Sequence, residues 1–321
     1  LDVAESRKPQ DGHTSLTLSG KSYDFRVATL PIVYGERVVL RILEKESILL
    51  RLEDLGFLEE DLEKFRSAFT KPYGAILITG PTGSGKSTTL YATLNVLNTE
   101  EVNIITVEDP VEYRLPGINQ IQINTKAGLT FARGLRSILR ASPDIVMVGE
   151  IRDKETAQIA IEAALTGHLV FSTLHTNDAP SAISRLTEMG IEPFLTASAI
   201  DCVQAQRLAR RLCKYCKETY KPDMDTLKSI GFPLKEDEEV PNLYRAKGCA
   251  RCNNTGYKGR VGIYEVMLIS EAIRKLTIEA ASAAEIKEAA LSEGMRTLKQ
   301  DALEKVKRGT TSIDEVFRVV I

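Results

Sequence analysis

Apolar residues change their spacing along this chain. In Thr14 to Leu18, Tyr23 to Leu30 and Arg37 to Leu43 they alternate with polar ones, the period of two that a strand with one covered face requires. Ser19-Gly20-Lys21 and Pro31 to Glu36 lie between these runs and carry turn chemistry, so a small antiparallel sheet is expected first. Glu59 to Phe69 then sets Leu62, Phe65 and Phe69 at helical spacing, and Lys71-Pro72-Tyr73-Gly74 breaks it. That change predicts a domain boundary near residue 70.

From Ala75 the apolar residues come in short unbroken runs: Ala75 to Thr79, Asn103 to Val107, Ile145 to Val148 and Leu169 to Leu174. Such runs suit parallel strands buried on both faces. Helical patterns at Ser87 to Leu97, Thr130 to Leu139 and Lys154 to Leu165 separate them, and the alternation predicts a doubly wound α/β sheet. Cys202, in what reads as a helical pattern with Ile200 and Val203, is expected to be a small buried hydrophobe. After Arg211 comes a cysteine-containing, loop-rich region with an acidic stretch, Lys235 to Glu239. Helices expected to end at Gly294 and Gly309 follow, and Ser312 with Glu315 reads as a capping box for the last one. The expected domains are 1–70, 71–205 and 206–321.

Composition narrows the class. A length of 321 residues makes two domains, with a small third module, the natural division. The chain is 43% hydrophobic and 27% charged, with 42 Lys+Arg against 44 Asp+Glu for a net −2, which excludes disorder and fibrous repeats and gives no general attraction to nucleic acid. No apolar run approaches the roughly 18 residues of a membrane helix, and Leu1 to Gly12 is charged where a signal peptide needs an apolar core. The chain begins at Leu1 inside a polar segment, as expected of a piece of a longer protein. One basic run stands out, Arg207, Arg210, Arg211, Lys214 and Lys217, and reads as a solvated or subunit-facing helix surface.

The strongest chemical signal is Gly80-Pro81-Thr82-Gly83-Ser84-Gly85-Lys86-Ser87, followed by Thr88, which fits GxxxxGKS between an expected strand and an expected helix. Glycines let backbone N–H groups wrap phosphate oxygens, Lys86 reaches the outer phosphates, and the Ser87 hydroxyl suits Mg²⁺. In open α/β sheets ligands bind beyond the carboxyl ends of strands. The runs end in Glu108-Asp109, Gly149-Glu150-Ile151-Arg152-Asp153 and His175-Thr176-Asn177. A carboxylate there can hold Mg²⁺ or take a proton from attacking water, and an imidazole can sense the terminal phosphate; the plainer alternative is solvated loop residues. His168 sits one strand before His175, about 20 Å away by strand rise, so it is expected to bond structurally, and His13 to be solvent-exposed.

Cys213-x-x-Cys216 and Cys249-x-x-Cys252, 32 residues apart, suit a closed tetrahedral zinc site, with two disulfides the alternative. Arg26 and Arg41 fall in strands of the first domain, while Arg136, Arg140, Arg152 and Arg185 belong to the core. An arginine delivered by a separate domain can neutralise charge on a transferred phosphoryl group.

Taken together, these motifs resemble the secretion ATPase superfamily in its type II secretion and type IV pilus assembly branch. Gly80 to Thr88 resembles its Walker A loop, TVEDPVEY at Thr106 to Tyr113 its aspartate box, and DIVMVGEIRD at Asp144 to Asp153 its atypical Walker B. TGHLVFSTLHTND at Thr166 to Asp178 resembles its histidine box, and the paired CxxC the zinc element of its extension-type members. The resemblance implies a RecA-like P-loop motor domain preceded by a small PAS-like α+β domain, with a zinc-binding insert and C-terminal helices. It implies a homohexameric cytoplasmic ATPase using ATP, Mg²⁺ and Zn²⁺, at the inner face of the bacterial inner membrane and peripheral to it through partners only. Such a motor drives pilin or pseudopilin assembly through an inner-membrane platform protein. By the same resemblance Lys86 and Ser87 bind phosphate and Mg²⁺, Glu150 takes the Walker B role, Glu108 supports the water or metal, and His175 contacts the terminal phosphate. Arg26 and Arg41 are then the arginines offered by the N-terminal domain. His175 to Pro180 reads closer to pilus assembly than to type II secretion.

Two other classes share the phosphate loop. A nucleic-acid motor needs aromatic residues interleaved with a basic stripe, whereas Trp is absent and aromatics total 6%; no nucleic-acid partner is expected. A small-molecule kinase would leave the cysteine pairs and the separate arginine-bearing domain unexplained.

Overall fold

The computed structural model describes residues 1–18, 21–44, 50–233 and 240–320. The acidic stretch at 235–239, the turn residues Ser19 and Gly20, and the His13 side chain lie outside the described residues. The chain falls into two compact units, Leu1–Leu50 and Arg51–Ile321. In the first, β1 (Gln10–Leu18), β2 (Lys21–Ile32) and β3 (Gly35–Glu44) form an antiparallel sheet in the order β1-β2-β3. The three alternating runs are thus strands, each longer than its apolar pattern.

In the second unit the order is α1 (Glu59–Phe69), β4 (Gly74–Thr79), α2 (Lys86–Leu97), β5 (Ile104–Glu108), β6 (Asn119–Gln122), α3 (Phe131–Ile138), β7 (Ile145–Val148), α4 (Lys154–Leu165) and β8 (Leu169–Leu174). There follow α5 (Pro180–Glu188), α6 (Pro193–Ala199), β9 (Ile200–Leu212), β10 (Glu218–Tyr220), α7 (Met224–Ser229), β11 (Leu243–Arg245) and β12 (Tyr257–Leu268). The helices α8 (Glu271–Ile278), α9 (Ala283–Ser292), α10 (Leu298–Lys307) and α11 (Ile313–Val319) close the chain. Among the described residues the main sheet runs β12-β9-β4-β8-β7-β5-β6, parallel throughout except for β12, which pairs antiparallel with β9.

Burial on both faces explains the unbroken apolar runs. Every residue of β4, β5, β7 and β8 is buried. Ala75 and Leu77 join an apolar cluster with α3, α4 and α5, while Ile76 and Ile78, one residue out of phase, are equally buried on the other side. Helix α1 is held to the same unit by Phe65 and Phe69, both fully buried, and by Phe57, whose ring stacks on Tyr264 of β12.

Two expectations are corrected. Ile200 to Val203 is not helical: it opens β9, and Cys202 is fully buried between β4 and β12. A short apolar segment enclosed on both faces has no period to distinguish strand from helix. The same correction removes Arg207, Arg210 and Arg211 from any helix surface, since β9 carries them. The Ser312/Glu315 box is half formed. Ser312 accepts from Glu315 N–H, but the Glu315 carboxylate turns to Arg210 and Arg318 instead of the cap. Gly294 and Gly309 do follow α9 and α10, with φ of 85° and 65°, in the left-handed region glycine adopts at helix ends.

Candidate functional site

The loop Gly80 to Gly85 joins β4 to α2, with φ of 145°, 79° and 91° at Gly80, Gly83 and Gly85. A Cβ on Gly80 would lie 2.5 Å from the Gln206 carbonyl oxygen and 2.7 Å from Ser84 Oγ, so this glycine is demanded by space as well as by φ. Pro81, Thr82, Gly83 and Ser87 are exposed and Lys86 is half-buried, leaving the N-terminus of α2 open to an anion. Lys86 Nζ donates to the carbonyls of Gly80 (2.9 Å) and Pro81 (3.2 Å). Burial holds its ammonium below the usual lysine range, Glu150 opposes that shift and Arg207 adds to it. A cavity of about 270 Å³ beside the loop is lined by Pro81 to Ser84 and by Arg207, Leu208, Arg318 and Val319.

Glu150 is positioned by its neighbours in sequence. Gly149 N–H donates to Val107 O on β5, Ile151 N–H donates to Thr173 O on β8, and Thr173 Oγ1 donates to Gly149 O. The carboxylate, 14% exposed, lies 3.5 Å from His175 Nε2 and accepts from Arg152 Nη2. Thus Glu150 and His175, from different strand ends, meet, and Glu150 acts electrostatically on Lys86. Asp153 serves as the N-cap of α4. Arg136 and Arg185 pair with Glu155 and Glu188 on the surface, and Arg140 donates to Ser137.

Glu108 is buried and accepts three hydrogen bonds. It accepts from the Tyr91 hydroxyl, from Thr106 Oγ1 at 2.7 Å and from Gln120 Nε2 at 3.1 Å. Burial and this carboxylate push Tyr91 well above the usual phenol range, so the phenol stays a donor. His168 Nδ1 lies 3.0 Å from the Ala163 carbonyl at the other end of β8 from His175, the structural bond expected of it. Arg26 on β2 and Arg41 on β3 belong to the first unit.

The four cysteines come together. Their sulfurs lie within 4.8 Å of one another, with Cys213–Cys249 at 4.0 Å, Cys216–Cys252 at 3.8 Å and Cys249–Cys252 at 3.7 Å. A tetrahedral ion with bonds of about 2.3 Å to sulfur requires separations of about 3.8 Å, whereas a disulfide requires about 2.05 Å; the set fits a metal, and all four are free thiols. The long gap between the pairs is closed by β10 and β11, which pair antiparallel from Glu218↔Arg245 to Tyr220↔Leu243.

Several residues here escape sequence reasoning. Tyr91, Gln120, Gln206 and Arg318 carry no motif, and Arg207 stands out only as part of a basic run; the signal available for Gln206 is the alternation of Gln204 and Gln206 with Val203 and Ala205, a strand period inside an apolar stretch.

The chain is similar to known proteins along nearly its whole length. The chain is 52% identical over 317 residues to the type IV pilus assembly ATPase PilB of Thermus thermophilus, covering 99% of this chain and 36% of that protein. It is 52% identical over 319 residues to the type II secretion system ATPase E of Vibrio cholerae, covering 99% and 63%. It therefore spans less than two thirds of either relative. The fold is similar to the crystal structure of the pilus retraction motor PilT with bound ADP, with a TM-score of 0.69 and 27% identity over 97% of this chain and 77% of that one. Sequence, site and fold converge on one conclusion: the chain belongs to the Type II/IV secretion system protein family, which matches residues 1–318.

Proposed function

We propose that this chain is the motor part of an ATPase that powers type IV pilus assembly by driving pilin polymerisation through an inner-membrane platform protein. The observation that carries the reading is the phosphate loop with its Lys86, on which Glu150 acts electrostatically, together with the Glu150–His175 pair at 3.5 Å. The loop N–H groups and Lys86 bind the phosphates. The 270 Å³ cavity next to them is where the nucleoside part fits. Glu150 accepts a proton from the attacking water, and His175 contacts the terminal phosphate. Ser87 and Glu150 would hold Mg²⁺, which neutralises charge between the phosphates. Arg26 and Arg41, on a separate unit, are the cations offered to the developing charge, and Glu108 supports the water or metal ion.

Residues 1–70 are read as the PAS-like domain, a reading supported by the β1–β3 sheet alone, since α1 packs with the second unit, and a RecA-like core follows. Cys213, Cys216, Cys249 and Cys252 would hold Zn²⁺ as a closed structural site, supplying cross-linking and no chemistry. The working form is a homohexamer at the cytoplasmic face of the inner membrane, attached through partners; no helix among the described residues is long and apolar enough to cross a membrane. Type II secretion is the second reading, favoured by equal identity to a protein of that name. Phosphate release from ATP with and without Mg²⁺, in the parent and in Lys86→Ala, tests the proposal: Mg²⁺-dependent release lost in the variant supports it, and none in the parent refutes it. Strong stimulation by DNA would favour a nucleic-acid motor.

A further inference from the structure

Strand β9 runs past its neighbour β4. Thr79, the last residue of β4, pairs with Ala205, yet β9 continues to Leu212 along β12 and so passes the phosphate loop. The extension begins with Gln206 and Arg207, whose side chains leave opposite faces of the strand. Gln206 is 1% exposed and fully engaged: Nε2 donates to the Ser84 carbonyl at 2.7 Å, and Oε1 accepts from Thr89 Oγ1 at 3.0 Å and from Gln204 Nε2 at 2.7 Å. One amide therefore ties the loop to α2. Arg207 reaches the other way. Its Nη2 donates to the carbonyl and Oδ1 of Asn177 at 3.0 and 3.2 Å, two residues beyond His175, and Nη1 donates to the Gln206 carbonyl at 3.1 Å.

We infer that Gln206 and Arg207 are positioning residues through which β9 couples the phosphate loop to the His175 loop. Both grips sit on consecutive residues of one strand that is hydrogen-bonded on both sides up to this point, so a shift of the phosphate loop is passed to Asn177 without slack. A terminal phosphate bound on the loop then fixes where His175 stands, and a diphosphate does not. The inference rests on the nucleotide-site reading above.

The test measures binding of Mg²⁺-ADP and of a Mg²⁺-bound non-hydrolysable ATP analogue to the protein, with thermal melting of every variant. The parent should prefer one over the other by on the order of tenfold. Arg207→Gln should lose most of that preference, read as the ratio of the two affinities because Arg207 also lines the cavity beside the loop, and Gln206→Glu, which cannot donate to Ser84 when ionised, should lose it too. The double variant should lose no more than either single, because one broken grip already uncouples the loops. Arg207→Lys, which keeps the charge but not the fork, should behave as Arg207→Gln and serves alone if the Gln206 variant melts early. Retained preference in either Arg207 variant, a parallel loss of ADP and analogue, or additive single effects would overturn the inference. A parent that binds neither nucleotide refutes the site; one that binds both equally refutes only the coupling.

Discussion

Arg26 and Arg41 face each other directly across β2 and β3. Directly opposed residues of an antiparallel pair share one face of the sheet, so one anion brought to that face would meet both side chains. Replacing both with Gln should lower ATP turnover by at least about 10³-fold, the scale of an arginine finger, while nucleotide affinity changes only a few-fold. Steady-state phosphate release measured beside nucleotide binding decides this; parental turnover in the double variant removes these arginines from the mechanism.

Gly80 sets the shape of the phosphate loop. Gly80→Ala forces a side chain into a φ of 145° against the Gln206 carbonyl, and strain of about 1–3 kcal/mol must be relieved by moving the loop. Nucleotide affinity should fall roughly tenfold or more, read by titration of a fluorescent nucleotide, with little change in melting of the main sheet. Unchanged affinity would show that the loop does not need its tight approach to β9.

The cysteine set predicts one zinc ion per chain. Metal analysis of the purified protein should find it, and Cys213→Ser should release it and lower the melting temperature, because Cys213 continues directly from β9 and binds the Gly256 carbonyl through its N–H. Less than one ion per chain in the parent would contradict the site.

Glu315 predicts an acid-sensitive anchor for α11. Burial alone would raise its carboxyl, but hydrogen bonds from Arg318 and Arg210 and from the Arg210 N–H hold it down at about 2, against an ordinary 4.5. Because the folded value is depressed, the stabilisation is fully present above pH 4.5 and is lost as pH falls from there towards 2. Glu315→Gln should cost about 2 kcal/mol at neutral pH, and the gap in melting temperature between parent and variant should shrink in acid. A gap constant from neutral pH to pH 3 would show that the pair contributes nothing through its charge.

Much of this was legible in the sequence wherever a short-range pattern decides structure. The bounds of β7, α4 and β8 coincide with their apolar periods, α1 with its helical spacing, and Glu150 and His175 meet because strand-end residues of one parallel sheet converge. What stayed hidden depends on partners far along the chain. Gln206 meets Ser84 across 122 residues and Arg210 meets Glu315 across 105, so neither has a local signal. β12, the antiparallel strand that covers β9, is not among the elements expected from the sequence, and without it Ile200 to Val203 reads as part of a helix. The arginines of β9 looked like a solvated surface for the same reason: a basic run on an extended strand has no periodicity to reveal that Arg207 turns to Asn177 and Arg210 to Glu315.

The most direct test of the central claim, that Glu150, paired with His175, drives water onto a triphosphate bound at Lys86, is the fate of ATP on Glu150→Gln in a single turnover. The variant keeps the shape of the side chain and loses the proton acceptor. It should bind ATP as tightly as the parent and still hold it as ATP while the parent has converted it to ADP and phosphate, with the rate down by roughly 10²–10⁴-fold. Cleavage at the parental rate in Glu150→Gln would contradict the account.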